Sequence, residues 1–193
     1  LSLEERELRW SFFMFDWERF QEVKPLLQEA TRTGAFDELS IPNIAETLRS
    51  LDGDAPRSMI ANALVADLCG VGDWVSFPKG LHEMISILRR KNNGEDLADE
   101  LGKLLSEENG VEWWFHADEG ISNIFTPQRT QRLSAYFRAI PHLKSSKESP
   151  SGLALLTRRL LQGESVENQY RILNDMFQDC AENGYGIAVW KEN

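Results

Sequence analysis

The sequence predicts an α+β fold, mainly helical, with a small sheet built from N-terminal, central and C-terminal strands. Two observations predict it. Apolar residues recur at three- and four-residue spacing through most of the chain. At residues 8–15, 111–116 and 187–190 the pattern changes to short runs rich in aromatic and β-branched residues. At 193 residues, with 41% of them apolar, the chain fits one domain spanning 1–193, able to bury a core without disulfides.

The first element is a strand over 8–15. Leu8, Trp10, Phe12 and Met14 alternate with Arg9 and Ser11, then both faces turn apolar, which suits one wet end and one buried end. Asp16 is placed as a helix N-cap. Phe20, Val23, Leu27 and Ala30 follow at helical spacing, and Gly34 is the stop. Pro25 lies inside this helix and either kinks it or starts a second one after Lys24.

Helices are expected next at 42–51, 56–69, 78–91 and 95–105. The second carries Met59, Ile60, Ala63, Leu64 and Leu68 and ends at Gly70-Val71-Gly72. The third carries Leu81, Met84, Ile85 and Leu88, with Arg89, Arg90 and Lys91 in its last turn, where cations suit the negative end of the helix dipole. The fourth opens with acids, which suit the positive end.

A central strand is expected at 111–116, and a third short strand or a loop at 121–125. Thr126-Pro127 then gives an N-cap followed by proline at the first helical position, opening a helix to about Ile140. Residues 141–150, with Ser145, Ser146, Lys147 and Ser149, form an exposed Ser/Lys-rich loop. Helices at 151–161 and 165–182 and a strand at 187–190 complete the chain. The long helix carries Val166, Tyr170, Leu173, Phe177 and Cys180 as its stripe.

Charge narrows the function. With 21 Lys and Arg against 31 Asp and Glu, the net charge is −10 and the pI is near 4.9. That argues against a nucleic-acid binder and against a polybasic membrane binder. The longest apolar runs are four residues, far short of the roughly 20 of a membrane span. Two cysteines, Cys69 and Cys180, read as reduced, buried thiols of a soluble cytoplasmic protein.

The charge is also uneven. Glu95, Asp96, Asp99, Glu100, Glu107, Glu108, Glu112, Asp118 and Glu119 are opposed only by Lys103. Downstream, Arg129, Arg132, Arg138, Lys144, Lys147, Arg158 and Arg159 are opposed only by Glu148. The basic stretch either neutralises the acidic one within the fold or binds phosphate. The acidic stretch is either a solvated helix face or a dock for a basic protein.

Motifs for chemistry are sparse. His82-Glu83 opens H-E-x-x-H, but position 86 is Ser, so the zinc motif fails. Gly70-Val71-Gly72 opens a dinucleotide fingerprint, but position 75 is Val and the run follows a helix. No metal site and no cofactor is expected. His116 and Asp118 would share one face of a strand, with Glu119 next to them, a candidate acid–base pair. Adjacent Trp113 and Trp114 must face opposite sides, as in a sheet covered by helices on both faces, or with Trp114 as an aromatic anchor in a binding site.

No family motif carries residue roles across to this chain. The expected function is therefore non-enzymatic: an acidic binding protein that docks a basic protein partner through Trp114, Glu107, Glu108 and Glu112. Toxin-neutralising immunity proteins are one inhibitor class of this composition. The alternative is a small hydrolase-like enzyme using His116 with Asp118 or Glu119.

Overall fold

The computed structural model describes residues 9–40, 44–51, 55–72, 75–78, 80–106, 124–140, 143 and 165–192. In chain order these form β1 (Arg9–Asp16), α1 (Trp17–Thr33), a 3-10 turn (Phe36–Glu38), α2 (Ile44–Ser50), α3 (Arg57–Cys69), β2 (Val75–Pro78), α4 (Gly80–Leu88), α5 (Glu95–Ser106), β3 (Ile124–Phe125), α6 (Pro127–Ala139), α7 (Val166–Asn183) and β4 (Tyr185–Glu192). The fold is a mainly helical α+β arrangement around one four-stranded sheet, as the periodicities predict.

The sheet has the order β2-β1-β4-β3, and every pair is antiparallel. The two strands nearest the chain ends are its middle: β1 pairs with β4 over its whole length, from Arg9 opposite Glu192 to Asp16 opposite Tyr185. Alternation divides their side chains between two layers. Trp10, Phe12, Ile187, Val189 and Phe125 face one core, built with α4, α5, α6 and α7. Phe13, Phe15, Ala188 and Ile124 face the other, built with α1, α2, α3 and the 3-10 turn. Helices thus cover both faces, which is why β1 reads as a nearly unbroken apolar run.

At the expected wet end of β1, the described Trp10 and Ser11 are both buried. Ser11 is fully buried, and its hydroxyl shares a 2.7 Å hydrogen bond with that of Ser76 on β2. A short polar side chain is tolerated there because its partner lies on the neighbouring strand. β2 itself was not expected. It is four residues long and ends in Pro78, which an edge strand tolerates, and it takes the first residue of the helix predicted over 78–91.

Local rules hold at the helix ends. The Asp16 carboxylate accepts from the Arg19 amide at 3.0 Å, and Gly34 closes α1 with φ 85°. Thr126 caps α6 with Pro127 in its first turn, and Ser165 caps α7, which Gly184 ends in the left-handed region. α1 runs unbroken through Pro25, so this proline does not start a second helix. In α3 the predicted stripe shifts: Met59 is about half exposed, while Ala61, Leu64, Val65 and Cys69 are buried.

The run Gly70-Val71-Gly72 is a helix stop that hands the chain to the sheet. The Val71 amide bonds the Met14 carbonyl at 2.9 Å, and Gly70 bridges Phe15. A Cβ at Gly70 would lie 2.7 Å from the Phe13 ring and 2.3 Å from the Ala66 carbonyl oxygen. The glycine is there for close packing, and no nucleotide loop is involved.

The central strand expected at 111–116 and the helix at 151–161 lie outside the described residues, as does the exposed loop expected at 141–150 except Leu143, which is buried in the core of α4, α5, α6 and α7.

Candidate functional site

Every residue singled out for chemistry or docking, namely Glu107, Glu108, Glu112, Trp114, His116, Asp118 and Glu119, lies outside the described residues. The structure therefore neither assembles nor separates the His116–Asp118 pair. What it does describe is the frame from which that segment leaves and to which it returns: α5 before it, β3 and α6 after it.

α5 is amphipathic in the way its sequence implies. Leu97, Ala98 and Leu101 are buried against the core of α4, α6 and α7. Glu95, Asp96 and Asp99 are exposed on the other side. Of these acids only Asp99 approaches a cation among the described residues, its Oδ1 lying 3.8 Å from Arg89 Nη2. That distance is too long for a hydrogen bond.

Glu100 behaves differently from its neighbours because it turns toward α6. Its side chain is 12% exposed and meets Arg129 at 3.1 Å, Arg132 at 3.4 Å and Lys103 at 2.7 Å. Arg129 is itself buried. Its Nη1 donates to the Ile124 carbonyl at 2.8 Å, and its guanidinium carbon lies 4.5 Å from the centre of the Phe125 ring. The same arginine therefore ties β3, α5 and α6 together. Burial pushes the Glu100 carboxyl up, but hydrogen bonds from Lys103 and Arg129, with their charges, outweigh it and hold the carboxyl below the usual carboxylate range. Two arginines of the basic stretch thus neutralise part of the acidic stretch within the fold. A third, Arg138, donates instead to the Gln178 side-chain oxygen at 2.6 Å on α7.

A groove of about 470 Å3 opens between α4 and α5, lined by His82, Ile85, Ser86, Arg89, Arg90 and Gly102. His82 belonged to a failed zinc motif, and Arg89 and Arg90 completed a helix dipole. The available signal was spacing: 82, 86 and 89–90 fall on one side of a helix. Nothing in the sequence places Gly102 opposite them.

The two thiols are free and buried. Cys69 belongs to the core of α1 and α3, Cys180 to that of α6 and α7, so the sheet stands between them and no disulfide can join them. Burial pushes each thiol up to about 12, so neither is poised to act as a thiolate. Among the described residues no group of three His, Cys, Asp or Glu side chains is placed to hold a metal ion. No helix among them is long and apolar enough to cross a membrane.

Compared with known proteins, the chain matches no family model, and neither a curated protein nor a solved structure shows significant similarity to it.

Proposed function

We propose that this chain is an acidic binding protein that docks a basic protein partner on the surface that begins with α5 and continues through Glu107, Glu108, Glu112 and Trp114. The observation that carries this reading is the division of labour on α5. Its inward acid, Glu100, is neutralised by Arg129, Arg132 and Lys103. Its outward acids, Glu95 and Asp96, are exposed and take no ion pair among the described residues. Of the basic stretch, Arg129 and Arg132 meet Glu100 and Arg138 donates to Gln178 on α7, so none of these three pairs with the outward acids. An unscreened acidic surface on a rigid helix favours encounter with a basic partner and makes the association salt-dependent.

The test is capture of partners from the native host lysate by the tagged protein at low and high salt, alongside the triple variant Glu95→Gln, Asp96→Asn, Asp99→Asn. Glu95→Gln and Asp96→Asn lose dipole-favourable charge in the first turn, about 0.3–1 kcal/mol each, and Asp99→Asn also removes the 3.8 Å approach to Arg89. We expect one stoichiometric basic protein at low salt, stripped at high salt and weakened in the triple variant. A partner held equally at both salts, or no partner at either, refutes the reading.

A further inference from the structure

We propose that the groove between α4 and α5 binds a phosphate group carried by a small molecule. Its lining converges from two helices. His82 and Ser86 stand one turn apart on α4, and Arg89 and Arg90 stand one turn further on. Ile85, almost fully buried, gives the groove an apolar floor. No carboxylate is among the lining residues.

Both guanidinium groups are steered by a contact. Arg90 donates through Nε to the Ser86 carbonyl at 3.0 Å, which folds its side chain back along α4 toward Ser86. Arg89 is drawn across toward α5, where Asp99 lies 3.8 Å away, attracting it without taking a hydrogen bond. The two forks therefore flank the groove from its α4 and α5 sides. Guanidinium forks match the oxygen geometry of phosphate. The Ser86 hydroxyl and the His82 ring add donors between them.

Gly102 explains why the groove is open. Glycine is a poor helix former, yet it occupies the interior of α5. A Cβ at that position would lie 3.5 Å from Arg89 Nη2 and meets nothing closer. A longer side chain would extend into the space in front of Arg89. The size of the ligand follows from the surroundings. The outer acids of α5 and the net charge of −10 repel an extended polyanion, whereas a single phosphate feels mainly the four donors around it.

The test is a titration of inorganic phosphate into the isotopically labelled protein at constant ionic strength, followed by NMR at the backbone amides and arginine Nε–H groups. Acetate is titrated in parallel. Two variants accompany the native chain: the double substitution Arg89→Gln, Arg90→Gln, and Gly102→Leu, which keeps every charge and fills the groove. We expect saturable shifts at residues 82–90 and 102 with phosphate, weakened about tenfold or more in each variant, and weaker binding of acetate. Shifts that do not saturate, acetate binding as tightly as phosphate, or variants that bind phosphate like the native chain would each overturn the proposal. If the double arginine variant does not fold, Gly102→Leu decides the matter alone.

Discussion

Arg129 shows how a single side chain can settle the meaning of a charge pattern. Its guanidinium bonds the Ile124 carbonyl and the Glu100 carboxylate while lying over Phe125, so of the two readings open to this residue, neutralisation within the fold is the one the structure supports. The Glu100 carboxyl, held below the usual range, makes a stability contribution that is present above the unfolded-chain value of about 4.3 and lost as pH falls through the lower folded value. Glu100→Gln should therefore cost about 1–3 kcal/mol at neutral pH by leaving Arg129 poorly compensated. The gap to the native protein should close as pH drops below about 4. Urea titrations at several pH values check this, and a gap that is constant with pH would show that the ion pair is not the cause. At the same scale, Cys69 and Cys180 are buried with thiols pushed up to about 12. Both should resist an aromatic disulfide reagent at pH 8 until urea unfolds the chain, and rapid labelling without urea would contradict the burial of at least one.

Helix α1 carries a proline at its ninth residue, on the exposed face, without breaking. Pro25 has no amide hydrogen to offer the preceding turn, and it lies on the exposed side, where water can satisfy the carbonyl left over. The buried stripe of Phe20, Val23, Leu27 and Ala30 holds the helix to the sheet despite that loss. Pro25→Ala should raise stability by about 1–3 kcal/mol, the helix-interior penalty less the flexibility returned to the unfolded chain. A higher urea midpoint at unchanged slope would confirm it, and a lower midpoint would mean that the packing of α1 depends on the shape proline imposes. Elements with a cap, a stripe and a stop were legible in this way. α1, α5, α6 and α7 all begin and end within a few residues of where Asp16, Glu95, Thr126-Pro127 and Ser165 place them. β2 was not legible, because four residues ending in proline carry almost no periodicity, and its identity comes from pairing with β1.

For the molecule as a whole, the sheet is a partition between two cores. Phe12 and Phe13 are neighbours in sequence, both almost completely buried, and they serve different layers. In a sheet with one solvated face only one of them would matter. Here Phe12→Ala and Phe13→Ala should each destabilise by about 3–5 kcal/mol, measured by urea unfolding. A negligible effect of either would mean that its layer of helices is not packed on the sheet. The same partition keeps Cys69 from Cys180 and places the acidic surface of α5 and the groove beside α4 on one side of the molecule, with the core of α4, α5, α6 and α7 beneath them.

Among the described residues, the sequence by itself determined the helices, most of their caps and stops, the two terminal strands and the α+β class, because these depend on contacts within a few residues: an N-cap with its third amide, a stripe at 3.6-residue spacing, a glycine at positive φ. It also showed that the acidic and basic stretches are separate in the chain and opposite in charge. Only the tertiary structure decided that β1 and β4 pair along their full length and which helices cover each face of the sheet. It alone turned Glu100 inward to Arg129 and Arg132, and it alone set Gly102 opposite Arg89. Each of these joins residues far apart in the chain. No local preference encodes such a partner; it emerges when buried apolar faces find a common sheet and the polar groups carried with them must be satisfied.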